Sequence, residues 1–251
     1  MTDWSRLRHA YGPADDVPDL FARAEPDPRS PVWNELWSRL CHQGTVYPAS
    51  FPALPVLTEL AGRWPGAQRT MPLALAADIV SSVDQPYGEV DPHVTHAADI
   101  ARLRTLTEET LGGADLDDDS STYVHMLRAL LAFDGDEVWG AHLDGLNDEE
   151  YEVACPHCEE EIFVAFGRYG AFTTQDGMYL RDTGAERLPL RPADPADLAG
   201  VGKRLHARAI ADGHPDVAEK LTYVFGHADC AACGERFRVD EAVTARWSDQ
   251  G

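Results

Sequence analysis

The first half of the chain repeats one pattern: apolar residues three and four apart, set among polar ones, the period of an amphipathic helix. Ser30 followed by Pro31 reads as a helix cap and first-turn proline. Behind them Val32, Trp33, Leu36, Trp37, Leu40 and Cys41 form one stripe, expected to stop at Gly44. A second stripe starts near Ser50 and holds Leu54, Leu57, Leu60 and Ala61; Pro55 is expected to kink its first turns and Pro65-Gly66 to end it. A third runs from Thr70 through Leu75, Ile79 and Val83, and a fourth from Pro92 or His93 through Ala97, Ala101 and Leu111 to Gly112-Gly113. An acidic linker, Asp115 to Asp119, precedes a fifth with Tyr123, Met126, Leu127, Leu130 and Leu131, and a short sixth covers Asp136 to Leu146. Met1 to Arg29, rich in Pro, Asp and Arg, reads as an arm with one short helix around Asp19 to Arg23.

Helix starts near 31, 50, 70, 93, 119 and 136 pair into units of roughly 40–47 residues, the HEAT/armadillo period. In such arrays each helix pair exposes an apolar face that only its neighbour buries. An irregular helical bundle is the plainer alternative. Beyond residue 147 the pattern changes. Strand-like Tyr151 to Ala154 leads into Cys155-Pro156-His157-Cys158, and Ile162 to Phe166 leads out. Leu221 to Phe225 leads into Cys230-Ala231-Ala232-Cys233, and Arg236 to Val239 leads out. Between the hooks Gly167 to Thr174 continue the β pattern, and Asp176 to Pro195 form a loop. Asp197 then opens a helix through Leu198, Val201, Leu205 and Ala209 to Gly213, followed by a short one over Pro215 to Leu221. The expected fold is mainly α: an arm (1–29), a HEAT-like helical domain (30–147), and a small β zinc ribbon (148–247) with a helical insertion at 194–221.

A strand, a two-cysteine turn and a return strand make a knuckle, and two knuckles supply four thiolates for a tetrahedral metal. The expected ligands are Cys155, Cys158, Cys230 and Cys233, holding one structural zinc per chain. Four thiolates leave no open position for water or substrate, so the centre is not catalytic. His157 could replace a cysteine, but with four thiols present it is expected to face solvent. Cys-Pro-His-Cys also resembles the active-site frame of thioredoxin-fold oxidoreductases, where a helix N-terminus lowers the thiol pKa. Here Glu159, Glu160 and Glu161 follow instead, then a β-rich run, and carboxylates raise a neighbouring thiol. The fifth cysteine, Cys41, reads as a small packed residue.

The charge balance narrows the partners. There are 43 acidic against 21 basic side chains, a formal net charge of −22 over 251 residues. That opposes approach to nucleic acid or an anionic membrane and favours a basic protein partner. A start lacking an apolar leader, and the lack of bilayer-length apolar runs, point to the cytoplasm. His93 and His96, with Asp99 a turn further, share a helical face, and with His125 they are the candidate lining of a small-ligand pocket. A solvated helix end explains the first three as well, and a C-terminal helix dipole explains His42. Trp33, Trp37 and Trp139 read as core; Trp4, Trp64 and Trp247 sit at element ends. Phosphate-binding glycine loops, nucleophile elbows and other catalytic motifs are missing, so no catalytic residue is assigned.

At Trp33-Asn34-Glu35-Leu36-Trp37, Cys41-His42-Gln43-Gly44-Thr45-Val46-Tyr47-Pro48-Ala49 and Ala53-Leu54-Pro55, the chain resembles a set of bacterial HEAT-repeat proteins, some of them presumed immunity partners of secreted toxins. The resemblance implies protein binding and no catalytic residues, and the cysteine module departs from the plain helical members. The function expected is a non-catalytic, zinc-binding interaction module, an immunity or inhibitor protein for a cationic bacterial toxin. The alternative is an enzyme or enzyme-associated protein that holds a small ligand in its helical domain.

Overall fold

The computed structural model describes residues 2–113, 116, 120–182 and 184–248. The chain is mainly helical with small antiparallel sheets, in two compact units, Met1–Leu143 and Asp144–Gly251. Asp115 and Asp117 to Asp119 of the acidic linker lie outside the described residues.

Residues read as an arm are packed into the first unit. A short hairpin, β1 (Arg8–His9) and β2 (Gly12–Pro13), leads to α1 (Val17–Ala22), which buries Val17, Leu20 and Phe21. His9 is buried, and both its ring nitrogens are used. Nδ1 accepts the Tyr11 N–H at 3.0 Å, so Nε2 carries the proton toward Asp16 at 3.0 Å. Arg39 also donates to Asp16, at 2.6 Å, and holds that carboxyl below its usual range against the opposing effect of burial.

The first amphipathic stripe is α2 (Pro31–Leu40), which ends earlier than its pattern suggests. Cys41–His42 (β3) instead pairs with Thr45–Val46 (β4) across Gln43-Gly44. Both turn residues have positive φ, 52° and 86°, as a two-residue hairpin turn requires. His42 is therefore a strand residue and not the last residue of a helix. Pro55 does not kink α3 (Leu54–Arg63), because it lies in the first turn, where no intrahelical donor is lost. Next come α4 (Thr70–Ser81), α5 (Pro92–Thr95), α6 (Ala97–Leu111), α7 (Ser120–Phe133) and α8 (Trp139–His142). Val83 lies past the end of α4 and is exposed. The predicted fourth helix is broken at His96 into α5 and α6, and the sixth is two single turns, α8 and α9 (Gly145–Asp148).

The long helices pack in two rows, α2–α4–α7 and α3–α6, with α3 also against α4 and α6 against α7. Trp33, Leu36, Leu57, Leu73, Leu75, Ile79, Leu103 and Tyr123 are wholly buried between them. Trp139 is buried as expected, and Trp37 is half-buried because its indole N–H reaches Asp78 at 2.6 Å. Asp78 also pairs with Arg128, which is only 4% exposed. Two glycines mark opposite packing regimes. A Cβ on Gly140 would stand 2.8 Å from the Ala132 backbone, so α7 and α8 touch there, whereas Gly62 on α3 faces open space. Gly62→Ala is expected to raise stability by about 1 kcal/mol, the helix-propensity gain. Gly140→Ala should lower it by about 1–3 kcal/mol through overpacking. Urea midpoints that move in the same direction for both would refute the contrast.

The second unit is built on a four-stranded antiparallel sheet in sequence order: β5 (Glu150–Ala154), β6 (Glu161–Gly167), β7 (Gly170–Thr174) and β8 (Leu188–Pro189). Tyr151 pairs with Val164 and Val153 with Ile162, placing these four apolar side chains on a buried face. The helical insertion starts later than predicted. Asp197 closes a turn on Asp194, and α10 (Gly200–Ala211) begins at a glycine with φ of 54°. Next, α11 (Pro215–Val224) takes up Leu221 to Val224, which had read as a strand. The stripe Val217, Ala218, Leu221, Val224 keeps helical spacing to its end, and this overrides the β-branched composition. The strand before the second hook is β9 (His227–Asp229), paired with β10 (Arg236–Arg238); α12 (Val239–Ser248) follows. Among the described residues no helix is long and apolar enough to cross a membrane.

Candidate metal centre

Both hooks are the turns of hairpins, β5–β6 and β9–β10, and their backbones match step for step. In the first, the Cys155 N–H donates to Glu160 O and the Glu159 N–H returns to Cys155 O, each at 2.9 Å. In the second, the Cys230 N–H donates to Glu235 O at 2.9 Å and the Gly234 N–H returns to Cys230 O at 2.8 Å. The His157 N–H points at Cys155 Sγ at 3.4 Å and the Ala232 N–H at Cys230 Sγ at 3.3 Å. Each hook closes through a left-handed residue just after its second cysteine, Glu159 (φ 63°) and Gly234 (φ 79°). Glycine takes that conformation freely, whereas glutamate adopts it at a cost of about 1 kcal/mol.

The two hooks bring Cys155, Cys158, Cys230 and Cys233 together, all four sulfurs within 4.8 Å of one another. Across the hooks, Cys155 and Cys233 lie 3.9 Å apart and Cys158 and Cys230 3.8 Å. A tetrahedron with metal–sulfur bonds of about 2.3 Å has edges of about 3.8 Å. These are not disulfide distances, and all five cysteines are free. Four sulfurs so spaced could hold a metal ion. Each hook contributes one buried sulfur, Cys155 or Cys230, and one nearer solvent, Cys158 or Cys233.

The crowding of the four sulfurs acts unevenly on the thiols. Burial pushes Cys155 up. At Cys158 a backbone N–H at Glu160 favours the thiolate, but desolvation and the three neighbouring sulfurs outweigh it and raise the pKa to about 12. Cys230 moves the other way: burial opposes ionisation, but the N–H groups of Cys233 and Ala232 and two sulfur neighbours lower it. A redox hook needs a depressed first thiol at a helix start. Here the chain after Cys158 runs into β6, so the first hook does not open a helix as a thioredoxin-like frame would.

His157 is exposed, and its Nε2–H donates to Arg236 O at 3.1 Å, which ties the first hook to β10 and takes no place among the sulfurs. Beside the second hook, Asp229 is held below the usual carboxylate range, first by Arg236 and then by Arg191, each donating at 2.9 Å. The Thr173 hydroxyl donates to Asp229 O at 2.7 Å and fixes the β9–β10 hairpin to β7. The spacing rule for four cysteines cannot find these brackets, because each depends on strand pairing.

The histidines picked out in the helical half do not converge. The His93 backbone is capped by Asp91 at 2.8 Å, while His96 faces Asp99 at 3.6 Å. His125 lines an apolar cavity of about 160 Å³ with Thr70, Met71, Ala74 and Met126, and neither His93 nor His96 lines it. Ligand pockets run to roughly 300–1,000 Å³, so this one is too small for a sizeable metabolite. Among the described residues the four cysteines are the only metal-competent group of three or more His, Cys, Asp or Glu. Cys41 lies buried in the helical unit, its thiol raised to about 12 by burial and by Asp78. Compared with protein-family models, curated proteins and solved structures, the chain matches none of them.

Proposed function

We propose that the chain is a non-catalytic, zinc-binding protein-interaction module whose partner is a basic protein, a cationic bacterial toxin being the case its resemblance suggests. The observation that supports it best is the sulfur geometry, since four thiolates at tetrahedral spacing satisfy a zinc ion and leave it no catalytic vacancy. The metal's role is then to join two hairpins. The two helical rows lend some support to a HEAT-like array, in which the first and second helices of successive pairs each form a layer, although α2 packs more on α4 than on α3. Such arrays present surfaces for proteins. The net charge of −22 favours a cationic partner and disfavours nucleic acid and anionic membrane surfaces.

Purified protein should carry one zinc per chain, and Cys155→Ser should reduce that to a small fraction, as read by elemental analysis. A metal-free protein with a Cys155–Cys158 disulfide would overturn the zinc assignment. For the partner, association rates should fall steeply between low and physiological salt, where the screening length shrinks to about 8 Å. A captured partner that is acidic, or a rate indifferent to salt, would remove the electrostatic basis of the reading.

A further inference from the structure

Three stretches far apart in sequence meet at one exposed spot of the helical unit, and each brings an aromatic ring. Tyr11 sits in the β1–β2 turn, His42 and Tyr47 on and just past the β3–β4 hairpin, and Tyr87 in the connection from α4 to α5. Tyr47 and Tyr87 lie 5.7 Å apart between ring centroids, and Tyr11 and His42 5.4 Å, with the Tyr11 hydroxyl 3.3 Å from His42 Nδ1. The hairpin links the two pairs: His42 sits opposite Thr45, and Tyr47, two residues on from Thr45, leaves the strand on the same side.

The convergence is built into the backbone. The Ala10 N–H donates to Arg39 O at 3.1 Å and the Ala49 N–H to Arg8 O at 3.0 Å, which hold the first turn in place. The Val46 N–H donates to Asp84 O at 3.0 Å, and the Ser82 hydroxyl to Gly44 O at 2.6 Å, joining the α4–α5 connection to the hairpin. Within that connection the Gln85 amide bridges Val90, giving 3.2 Å to its carbonyl and accepting from its N–H at 2.8 Å, which braces the loop that carries Tyr87. Even so, Tyr11 stays 64% exposed and Tyr87 61%. Single exposed tyrosines need no explanation, but rings brought together and left open form a preorganised surface.

We infer that the cluster of Tyr11, Tyr47 and Tyr87, with the Asp84 carboxylate, receives an arginine or lysine side chain of a basic protein partner. The inference deepens the proposed function and rests on its premise that the partner is cationic. Ring faces attract a guanidinium or ammonium within about 6 Å of the centroid. Asp84 is exposed and accepts the Thr45 hydroxyl, which leaves its carboxylate acceptor capacity for a charged donor. A nucleobase could stack on the same rings, but the charge placed beside them is negative and repels the phosphate that accompanies a base.

The test uses the full-length protein labelled with ¹³C at the tyrosine rings, and two short Gly/Ser peptides that differ at one position, arginine or its neutral isostere citrulline. The arginine peptide should shift the Tyr11, Tyr47 and Tyr87 resonances saturably, and the citrulline peptide should not. Tyr87→Leu, exposed and so compatible with the fold, should weaken arginine-peptide binding about fivefold, the loss of one cation–π contact, while Tyr87→Phe keeps it. Equal shifts from both peptides, or undiminished binding by Tyr87→Leu, would overturn the inference. A basic native partner whose affinity is unchanged by Tyr11→Leu and Tyr87→Leu would also overturn it and leave the proposed function standing. A protein that captures only acidic partners would overturn the proposed function and, with it, the inference.

Discussion

Stripping the metal with a chelator is expected to undo the joint between the β5–β6 and β9–β10 hairpins while the helical unit stays folded. β9 and β10 are three residues each, too short for independent stability. Cys230 is wholly buried, so a thiolate there needs a bound cation to offset its desolvation. Structural zinc in small domains supplies about 10–16 kcal/mol, comparable to the entire stability of a domain, about 5–15 kcal/mol. Hydrogen exchange should therefore show β9, β10 and α12 losing protection, with the α2 to α7 amides unchanged. Cys230→Ser should reproduce the pattern, and Cys41→Ser should leave zinc content intact. Because protons compete with metal for thiolates, loading should fall as pH is lowered. Protection lost evenly from both units would show that they unfold as one, and the expectation would fail.

Asp78→Asn should destabilise the helical unit by about 1–3 kcal/mol, because it removes the carboxylate that pairs with the buried Arg128 guanidinium. Trp37 loses a charged acceptor in the same change. Tryptophan emission during urea unfolding is a suitable readout, since Trp247 alone of the six tryptophans lies outside this unit. Replacing both partners, Asp78→Leu with Arg128→Met, should cost less than the single change, since neither charge of the pair then has to be kept inside. A shift under about 0.5 kcal/mol for Asp78→Asn would place the pair among ordinary surface contacts.

The cysteines could be read from sequence because the hook is local: two thiols and a turn lie within four residues, and chemistry requires a second copy. The stripes of α2, α3 and α7 were equally plain, since their period is set by the helix itself. What escaped depends on partners elsewhere in the chain. The Cys41–His42 strand continues the helical stripe in composition, and only the Gln43-Gly44 turn diverts it into a hairpin. Leu221 to Val224 are β-branched and aromatic enough to read as a strand, yet they are the last turn of a helix whose stripe began at Val217. The N-terminal segment looked unstructured because its few apolar residues are spaced for contact with α2 and carry no period of their own. His93, His96 and Asp99 shared a helical spacing, but the helix breaks at His96, and His125 belongs to another helix, α7.

The two hooks are also far apart along the chain. Cys158 and Cys230 are 72 positions apart, and Cys155 and Cys233 are 78. Either hook alone offers a metal two thiolates as soon as its hairpin turns, but the full site must wait for a long loop to close. Loop closure costs grow only with the logarithm of length, and α10 and α11, which pack on each other, shorten the effective span once they form. Local helices therefore come first, the half-filled hooks next, and the four-sulfur joint last. Refolding of the second unit should then be limited by a non-local step, the search of one hook for the other.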